Sequence, residues 1–414
     1  MADPSNPEHG CRICGAPLGE PVVDLGMSPL SDVFPSPELA AAERSYPLQV
    51  HLCPSCGLAQ LHHIADPAEL FTEYAYFSSF STSWVEHARL YADEMIDQLE
   101  LGPGSLVVEL ASNDGYLLQH FRDRGIPVLG VEPAANVAEV AEARGIPTLV
   151  RFFGQEVAEE LVAGDRQADL VVANNVLAQV PDLHDFVGGV VRLLAPDGLL
   201  TIEFPGALRL LEQTQFDTIY HEHFSYFSLG TVAELLRRHG LAIVDVEELV
   251  THGGSLRVHA RHAARDDAPA ARVAAVLAAE RTGGAFDRAT WLAFADRVAA
   301  MRREMVEFLE TARSEGRTVA GYGAPGKATT FLNYCGIGPD LLPYTVDRNP
   351  YKQGRVMPGT HNPIHPVEHI AETRPDYIWI LPWNLREEIG AQLAYAREWG
   401  AMFIVAIPAL ALFY

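Results

Sequence analysis

The chain has 414 residues, too many for one core of ordinary size, and its 48% hydrophobic and 20% charged residues give it the profile of a folded globular protein. Acidic residues number 54 against 30 basic ones, and the net charge of −24 repels phosphate backbones, so nucleic acid is excluded as a first choice of partner. The opening MADPSNPEHG lacks the pattern of a secretory leader, and the longest apolar run, Ala401 to Tyr414, is too short to cross a bilayer, so a cytoplasmic protein with no membrane partner is expected.

Residues 1–70 carry turn signals at Cys14-Gly15, Pro35-Ser36-Pro37 and Cys53-Pro54-Ser55-Cys56 but little periodicity. This predicts a small domain held by something other than a large core. Cys11-Arg-Ile-Cys14 and Cys53-Pro-Ser-Cys56 are two C-x-x-C knuckles. Four thiolates so spaced suit tetrahedral zinc, whose binding supplies folding energy that a small domain lacks, and a structural Zn2+ on Cys11, Cys14, Cys53 and Cys56 is predicted. A redox dithiol would need only one pair. His51 is the alternative ligand, and Cys335 reads as a plain thiol.

From Ser81 to Leu101 apolar residues recur at helical spacing (Val85, Ala88, Leu90, Tyr91, Met95, Leu99) up to Gly102-Pro103-Gly104. The aromatic and hydroxyl cluster ahead of them, Tyr74 to Ser83, suits a cofactor or substrate wall, with Ser79 a candidate contact, and suits domain packing equally. Between Ser105 and His262 the runs LVVEL, VLGVE, TLVRF, ADLVVAN, LLTIEF, LAIVDVEEL and SLRVHARH alternate with helical stretches. That alternation predicts an α/β domain with a mostly parallel sheet of about seven strands, closed by an antiparallel hairpin through Thr251–Gly254. Helices rich in Ala, Arg and Glu follow over 268–317, broken at Gly283-Gly284. A second, smaller α/β series comes last: TVAGYGA, a helix after Lys327, LPYTVD, DYIWILPW and MFIVAIP. The domains expected are 1–70, 71–285 and 286–414.

In VVELASNDGYLL a strand ends at Glu109, passes Ser112-Asn113-Asp114-Gly115 and enters a helix; Ala111 stands where a nucleotide loop more often has glycine. The next strand ends at Glu132, placed to bond ribose hydroxyls, with Pro133 after it, and the fourth ends at Asn174-Asn175, whose amides can read an adenine or a carboxylate. One glycine is too few for a pyrophosphate loop, so Glu109, Ala111, Asn113, Asp114, Glu132, Pro133, Asn174 and Asn175 are read as an S-adenosylmethionine site, not an NAD site.

Past the fifth strand, FDTIYHEHFSYFS sets Tyr220, His221, Glu222 and His223 side by side. Four polar side chains in a row are expensive to bury without purpose, and a histidine beside a carboxylate can take a proton near neutral pH. His223 is the candidate base; capping, backbone satisfaction or a metal site are the other readings. Gly321-Tyr-Gly323-Ala-Pro-Gly326 fits G-x-G-x-x-G, with Asp347 downstream where a ribose partner would fall. An NAD-dependent nucleotide-sugar reductase or epimerase is therefore the rival function. Pro325 removes a phosphate-binding N–H and Lys327 adds a charge suited to a diphosphate, with Thr329, Asn333, Lys352 and Arg355 as further candidates.

The two knuckles, PLSD (Pro29–Asp32), YAYFSS, SNDG, YHEHF, HGGSLRV and GYGAPGKAT occur in an order that resembles the nucleotide-sugar C-methyltransferases of antibiotic deoxysugar pathways over nearly the whole chain. The resemblance implies an N-terminal zinc-binding domain, a central class I methyltransferase (Rossmann-like) domain and a C-terminal Rossmann-like α/β domain that holds a nucleotide sugar. It implies methylation at C3 of a dTDP-4-keto-deoxysugar, with Tyr76, Tyr220, Glu222 and His223 as catalytic residues. The sequence departs from relatives at Gln179, often a histidine, and at His221, an aspartate in some. The C4 ketone acidifies the C3 hydrogen; His223 would remove it, Tyr76 or Tyr220 would steady the enolate oxygen, and the enolate would attack the sulfonium methyl. A monomer suffices for such a cleft. A zinc-ribbon adaptor with a dead transferase fold is the third reading.

Overall fold

Short apolar runs and the turns between them build three sheets, which a computed structural model describes over residues 10–63, 66, 67, 70, 77–164, 167–265 and 267–414. The first region holds β1 (Val23–Pro29), β2 (Ser45–Leu52) and β3 (Ala59–Leu61), joined antiparallel. The middle of the chain holds β4 (Val107–Leu110), β5 (Val128–Val131), β6 (Thr148–Leu149), β7 (Ala168–Asn174), β8 (Leu194–Pro205), β9 (Ser225–Tyr226), β10 (Leu241–Leu249) and β11 (Ser255–His262). The last third holds β12 (Val319–Tyr322), β13 (Thr345–Val346), β14 (Ile364–His365), β15 (Tyr377–Ile380), β16 (Met402–Val405) and β17 (Ala411–Phe413).

The central sheet has the order β10-β11-β8-β7-β4-β5-β6, parallel except for the β10–β11 hairpin, whose strand β11 runs antiparallel to β8. Its inner strands are buried along almost their whole length, as a sheet covered on both faces requires. The seven runs read from the sequence are these seven strands, in the expected edge arrangement. Order reverses between β4 and β7, so the crevice beyond their carboxyl ends is where a ligand belongs. The third sheet, β14-β13-β12-β15-β16-β17, is parallel up to its last strand. Its end strands β14 and β17, of two and three residues, carry too little pattern to be read from sequence.

The helix Thr82–Leu99 starts where Ser81 Oγ accepts the Trp84 N–H, and it buries Trp84, Ala88, Tyr91, Ala92 and Met95 on one face. The break at Gly283-Gly284 separates the helices Ala271–Thr282 and Arg288–Ser314. The longer one buries Trp291, Phe294, Val298, Met301, Met305 and Leu309 in a core shared by the first and third sheets. Among the described residues no helix is long and apolar enough to cross a membrane.

One feature lies outside the sequence reading. The first sheet is completed by β9, which pairs with β3 through Ala59–Tyr226 and Gln60–Ser225. A two-residue strand has no periodicity to detect, yet it threads the chain just past Tyr220–His223 into the zinc-binding region.

Candidate active site and metal centre

The four Sγ atoms of Cys11, Cys14, Cys53 and Cys56 lie within 4.8 Å of one another, with Cys11–Cys56 at 3.4 Å and Cys14–Cys53 at 3.5 Å. A tetrahedral ion with bonds of about 2.3 Å needs sulfurs about 3.8 Å apart, so the donor set fits zinc. Each knuckle turns back through a glycine in the left-handed region, Gly15 (φ 73°) and Gly57 (φ 77°). His51 lies outside this four-cysteine cluster, and its Nδ1 bonds the Gly19 carbonyl at 2.7 Å. Cys335 is buried elsewhere, and burial pushes its thiol up to about 12.

A single cleft of about 1680 Å³ runs between the carboxyl ends of the central sheet and the third sheet. Ala111, Asn113, Glu132, Pro133, Asn174 and Asn175 line it. The loop after β4 is held in an unusual shape: Ala111 (φ 55°) and Asn113 (φ 49°) are both left-handed, as is Asn175 (φ 54°) across the crevice. Such backbone gathers at binding sites because the surroundings over-determine it. The Glu132 carboxylate accepts the N–H groups of Asn113 and Ala134, both at 2.9 Å, and burial raises it to about 7. Asn174 Oδ1 is buried with no partner among the described residues, a free acceptor for an adenine amino group. These groups fit S-adenosylmethionine.

Glu109 and Asp114 sit behind the loop and do not line the cleft. Burial, then Glu132 and Asp114, hold the Glu109 carboxyl well above its ordinary range. Asp114 accepts from Ser79 Oγ and faces Arg144 at 3.2 Å, so Ser79, although it lines the cleft, fastens the cofactor loop.

Tyr220–His223 is a tight turn in which the His223 N–H donates to the Tyr220 carbonyl at 2.9 Å. The ends of such a turn are close in space and its corners point away. Accordingly the rings of Tyr220 and His223 meet with centroids 4.2 Å apart, tilted by 32°, and both line the cleft. The Thr218 carbonyl, 3.1 Å from His223 Nδ1, can only accept, so Nδ1 carries the hydrogen and Nε2 keeps the lone pair. Burial, with His252 and Lys327 adding to it, lowers His223 to about 4 and leaves it neutral at pH 7.

The corner residues face the first sheet. His221 Nε2 bonds the Pro47 carbonyl at 3.3 Å, and burial lowers it to about 4. Glu222 accepts from the Ser31 and Asp32 N–H groups, both at 3.1 Å, and from Ser31 Oγ at 2.7 Å; burial and then Asp32 raise it to about 7. Glu222 therefore does not orient His223, contrary to the expectation from their adjacency; the Thr218 carbonyl does. Tyr76 lies outside the described residues.

Lys327 also lines the cleft, whereas Thr329, Asn333 and Arg355 do not. Thr329 Oγ1 donates to the Ser31 carbonyl at 3.0 Å, Asn333 Nδ2 to Thr329 and Pro358 carbonyls, and Arg355 to those of Tyr351 and Phe34. These bonds hold them within the protein, away from the cleft. The C-terminal glycines are closely packed: a Cβ on Gly326 would lie 2.7 Å from Asp32 Oδ2, and one on Gly323 would lie 2.6 Å from Pro382. Asp347 accepts from Ala324 and Asn349 N–H groups at 2.7 and 2.8 Å. Gly323, Gly326 and Asp347 line the same cleft as the loop after β4, with Asp32 of the first domain packed against Gly326.

The sequence reading missed His252, Arg348 and Trp383. His252 lines the cleft in a left-handed conformation (φ 51°), and only its place in HGGSLRV signalled it. Gln179 lines the cleft as well.

A seven-stranded sheet of this order, with an acid-ended second strand beside a loop poor in phosphate-binding glycines, defines a class I S-adenosylmethionine-dependent methyltransferase, here joined to a zinc-binding domain. Residues 11–71 match the zinc binding domain family, 84–246 the methyltransferase domain family, and 250–408 the C-methyltransferase C-terminal domain family. C-methyltransferase NovU of Streptomyces niveus is 41% identical over 409 residues, covering 99% of this chain and 97% of that one. The chain belongs to this C-methyltransferase family. Among solved structures, magnesium protoporphyrin IX methyltransferase of Synechocystis PCC 6803 shares 16% identity over 43% of this chain and 80% of that one, with a TM-score of 0.32. A methyltransferase of Clostridium acetobutylicum ATCC 824 shares 11% over 43% and 91%, with a TM-score of 0.34.

Proposed function

We propose that this C-methyltransferase acts on a dTDP-4-keto-deoxysugar in antibiotic deoxysugar biosynthesis, at C3, in the cytoplasm. The observation that carries the reading is the Tyr220–His223 pair: a neutral imidazole with its lone pair on Nε2, on the wall of the same cleft that the cofactor loop lines. Carbon becomes a nucleophile only after losing a proton, and an adjacent ketone makes that loss accessible to a positioned histidine. Tyr220, its ring 4.2 Å from that of His223, would steady the enolate oxygen. S-adenosylmethionine supplies the electrophilic methyl. The chain's own work is to align the two reactants and keep water out, since a solvated enolate would reprotonate.

The test is calorimetry with S-adenosylhomocysteine and with dTDP, followed by turnover of a dTDP-4-keto-deoxysugar. Binding of both ligands and a methyl group at C3 in the product, lost in His223→Asn, support the reading. Turnover at C5, or binding of S-adenosylhomocysteine with no affinity for dTDP, refutes it.

A further inference from the structure

His223 is a weak base in this cleft, held near 4. A base of that strength removes a proton from carbon only if the oxygen that gains the charge is met by a strong electrophile. Among the described residues the lysines and arginines that line the cleft are Arg151, Lys327, Arg348 and Lys352. Arg151 is paired with Glu156 and Glu160 at 3.5 and 3.0 Å. Lys352 donates to the Ala324 carbonyl at 2.8 Å and faces Asp32 at 3.9 Å. Arg348 is exposed.

Lys327 stands apart. Its Nζ donates to Asn384 Oδ1 at 2.9 Å and lies 4.8 Å over the Trp383 ring. The Trp383 indole N–H donates to Asp217 Oδ2 at 2.8 Å, one residue before the Thr218 carbonyl that holds His223. The other end of the indole packs on Gly253, next to His252; a side chain at Gly253, where φ is 89°, would collide with it. Trp383 therefore ties together the segment bearing His223 and the turn bearing His252, with the ammonium on its face. Lys327, His223 and His252 line the same cleft, and the Lys327 charge adds to the burial that lowers both imidazoles, for His223 after that of His252. Burial lowers Lys327 itself, and Asp217 opposes that.

We propose that Lys327 is the electrophile that meets the sugar's C4 oxygen while His223 takes the C3 proton, and that the diphosphate lies instead against Arg348. The inference rests on the keto-sugar reading above. The C3–H bond breaks and its proton goes to His223 Nε2. The electron pair forms C3=C4 and the carbonyl π pair moves to oxygen, beside the Lys327 ammonium. That enolate then bonds the sulfonium methyl carbon as the methyl–sulfur pair returns to sulfur and C4=O re-forms.

The experiment compares wild type, Lys327→Met, Lys327→Arg and Arg348→Gln. It measures kcat, KM, dTDP and S-adenosylhomocysteine affinity, and exchange of the C3 hydrogen with D2O in the presence of S-adenosylhomocysteine. Lys327→Met is expected to lower kcat and exchange about 100-fold with both affinities within about 2-fold, and Lys327→Arg to recover part of the loss. Arg348→Gln is expected to weaken dTDP about 10-fold. Exchange at the wild-type rate in Lys327→Met, or a fall in dTDP affinity with kcat intact, overturns the proposal. If Lys327→Met loses S-adenosylhomocysteine binding through misfolding, Lys327→Arg decides: reduced kcat at unchanged dTDP affinity supports it, and reduced dTDP affinity alone overturns it. Wild-type enzyme that binds dTDP but exchanges no C3 hydrogen overturns the keto-sugar reading as well, so the two failures are distinct.

Discussion

Arg12 lies between two zinc ligands, yet its guanidinium points away from the metal. It donates to Gln60 Oε1 at 3.2 Å, to the Leu61 carbonyl at 2.6 Å and to the Phe224 carbonyl at 2.8 Å. Phe224 follows His223, the base proposed above, so the zinc knuckle grips the segment that carries it. Replacing Arg12 with Met keeps the stem and removes three hydrogen bonds, each contributing about 1 kcal/mol net. The sum, about 3 kcal/mol, corresponds to about 100-fold in an equilibrium. That is the ceiling on the loss of correctly placed His223, and hence on the fall in kcat/KM for the proposed sugar substrate. The cofactor loop is built on β4 and β5, far along the chain from this contact, so S-adenosylhomocysteine affinity should stay within about 2-fold. The assay is steady-state turnover beside calorimetry, with bound zinc measured in the same preparation. If kcat/KM holds in a variant that keeps its zinc, or cofactor affinity falls in parallel, the coupling between knuckle and base is refuted.

Stripping the metal with a chelator should act through the same contacts: turnover is lost while S-adenosylhomocysteine still binds, and parallel loss of both in calorimetry would show that the metal supports the whole fold. Ala111→Gly should raise the melting temperature, since Ala111 is held at φ 55° at a cost of about 1 kcal/mol that glycine escapes; a lower melting temperature would count against that strain. His221 is lowered from an ordinary 6.5 to about 4, so the unfolded chain takes up a proton that the folded one refuses, and its contribution falls away as pH drops from 6.5 to 4, by up to about 3 kcal/mol. Glu132 and Glu222, raised to about 7, act in the opposite sense, losing stability as pH rises from their ordinary range toward 7. The measurement is therefore the difference in urea midpoint between wild type and His221→Gln at pH 7.5 and pH 5; equal pH dependence in the two would refute a neutral, buried His221.

The central sheet was legible because its inner parallel strands are buried on both faces and so appear as apolar runs bounded by turn residues. The four cysteines were legible because thiolate spacing is a covalent constraint that needs no tertiary context. The polar side chains were harder to place. Glu109 and Asp114 have the residue types of a cofactor site but lie one layer behind it, and Thr329, Asn333 and Arg355 have the types of a sugar site but bond backbone carbonyls outside the cleft. Residue type reports what a side chain can bond, and only the fold decides which partner reaches it first. His252 was passed over for the converse reason, since a lone histidine in a glycine turn looks like a connector until its left-handed backbone is seen to aim it into the cleft.

Tyr-His-Glu-His shows how far such a motif can mislead. Four adjacent polar residues read as one chemical unit, but a tight turn brings its first and fourth members together and sends the middle pair the other way. Tyr220 and His223 line the cleft. His221 and Glu222 are fasteners, reaching Pro47, Ser31 and Asp32 in the first domain. Because Asp32 in turn packs against Gly326 at the start of the helix behind Lys327, a single carboxylate at Glu222 bears on both walls of the cleft. Lost turnover in a Glu222 variant would therefore follow from misplacement alone. Glu222→Gln, which keeps an acceptor for the Ser31 and Asp32 N–H groups, should retain much more activity than Glu222→Ala; a proton-transfer role would abolish activity in both.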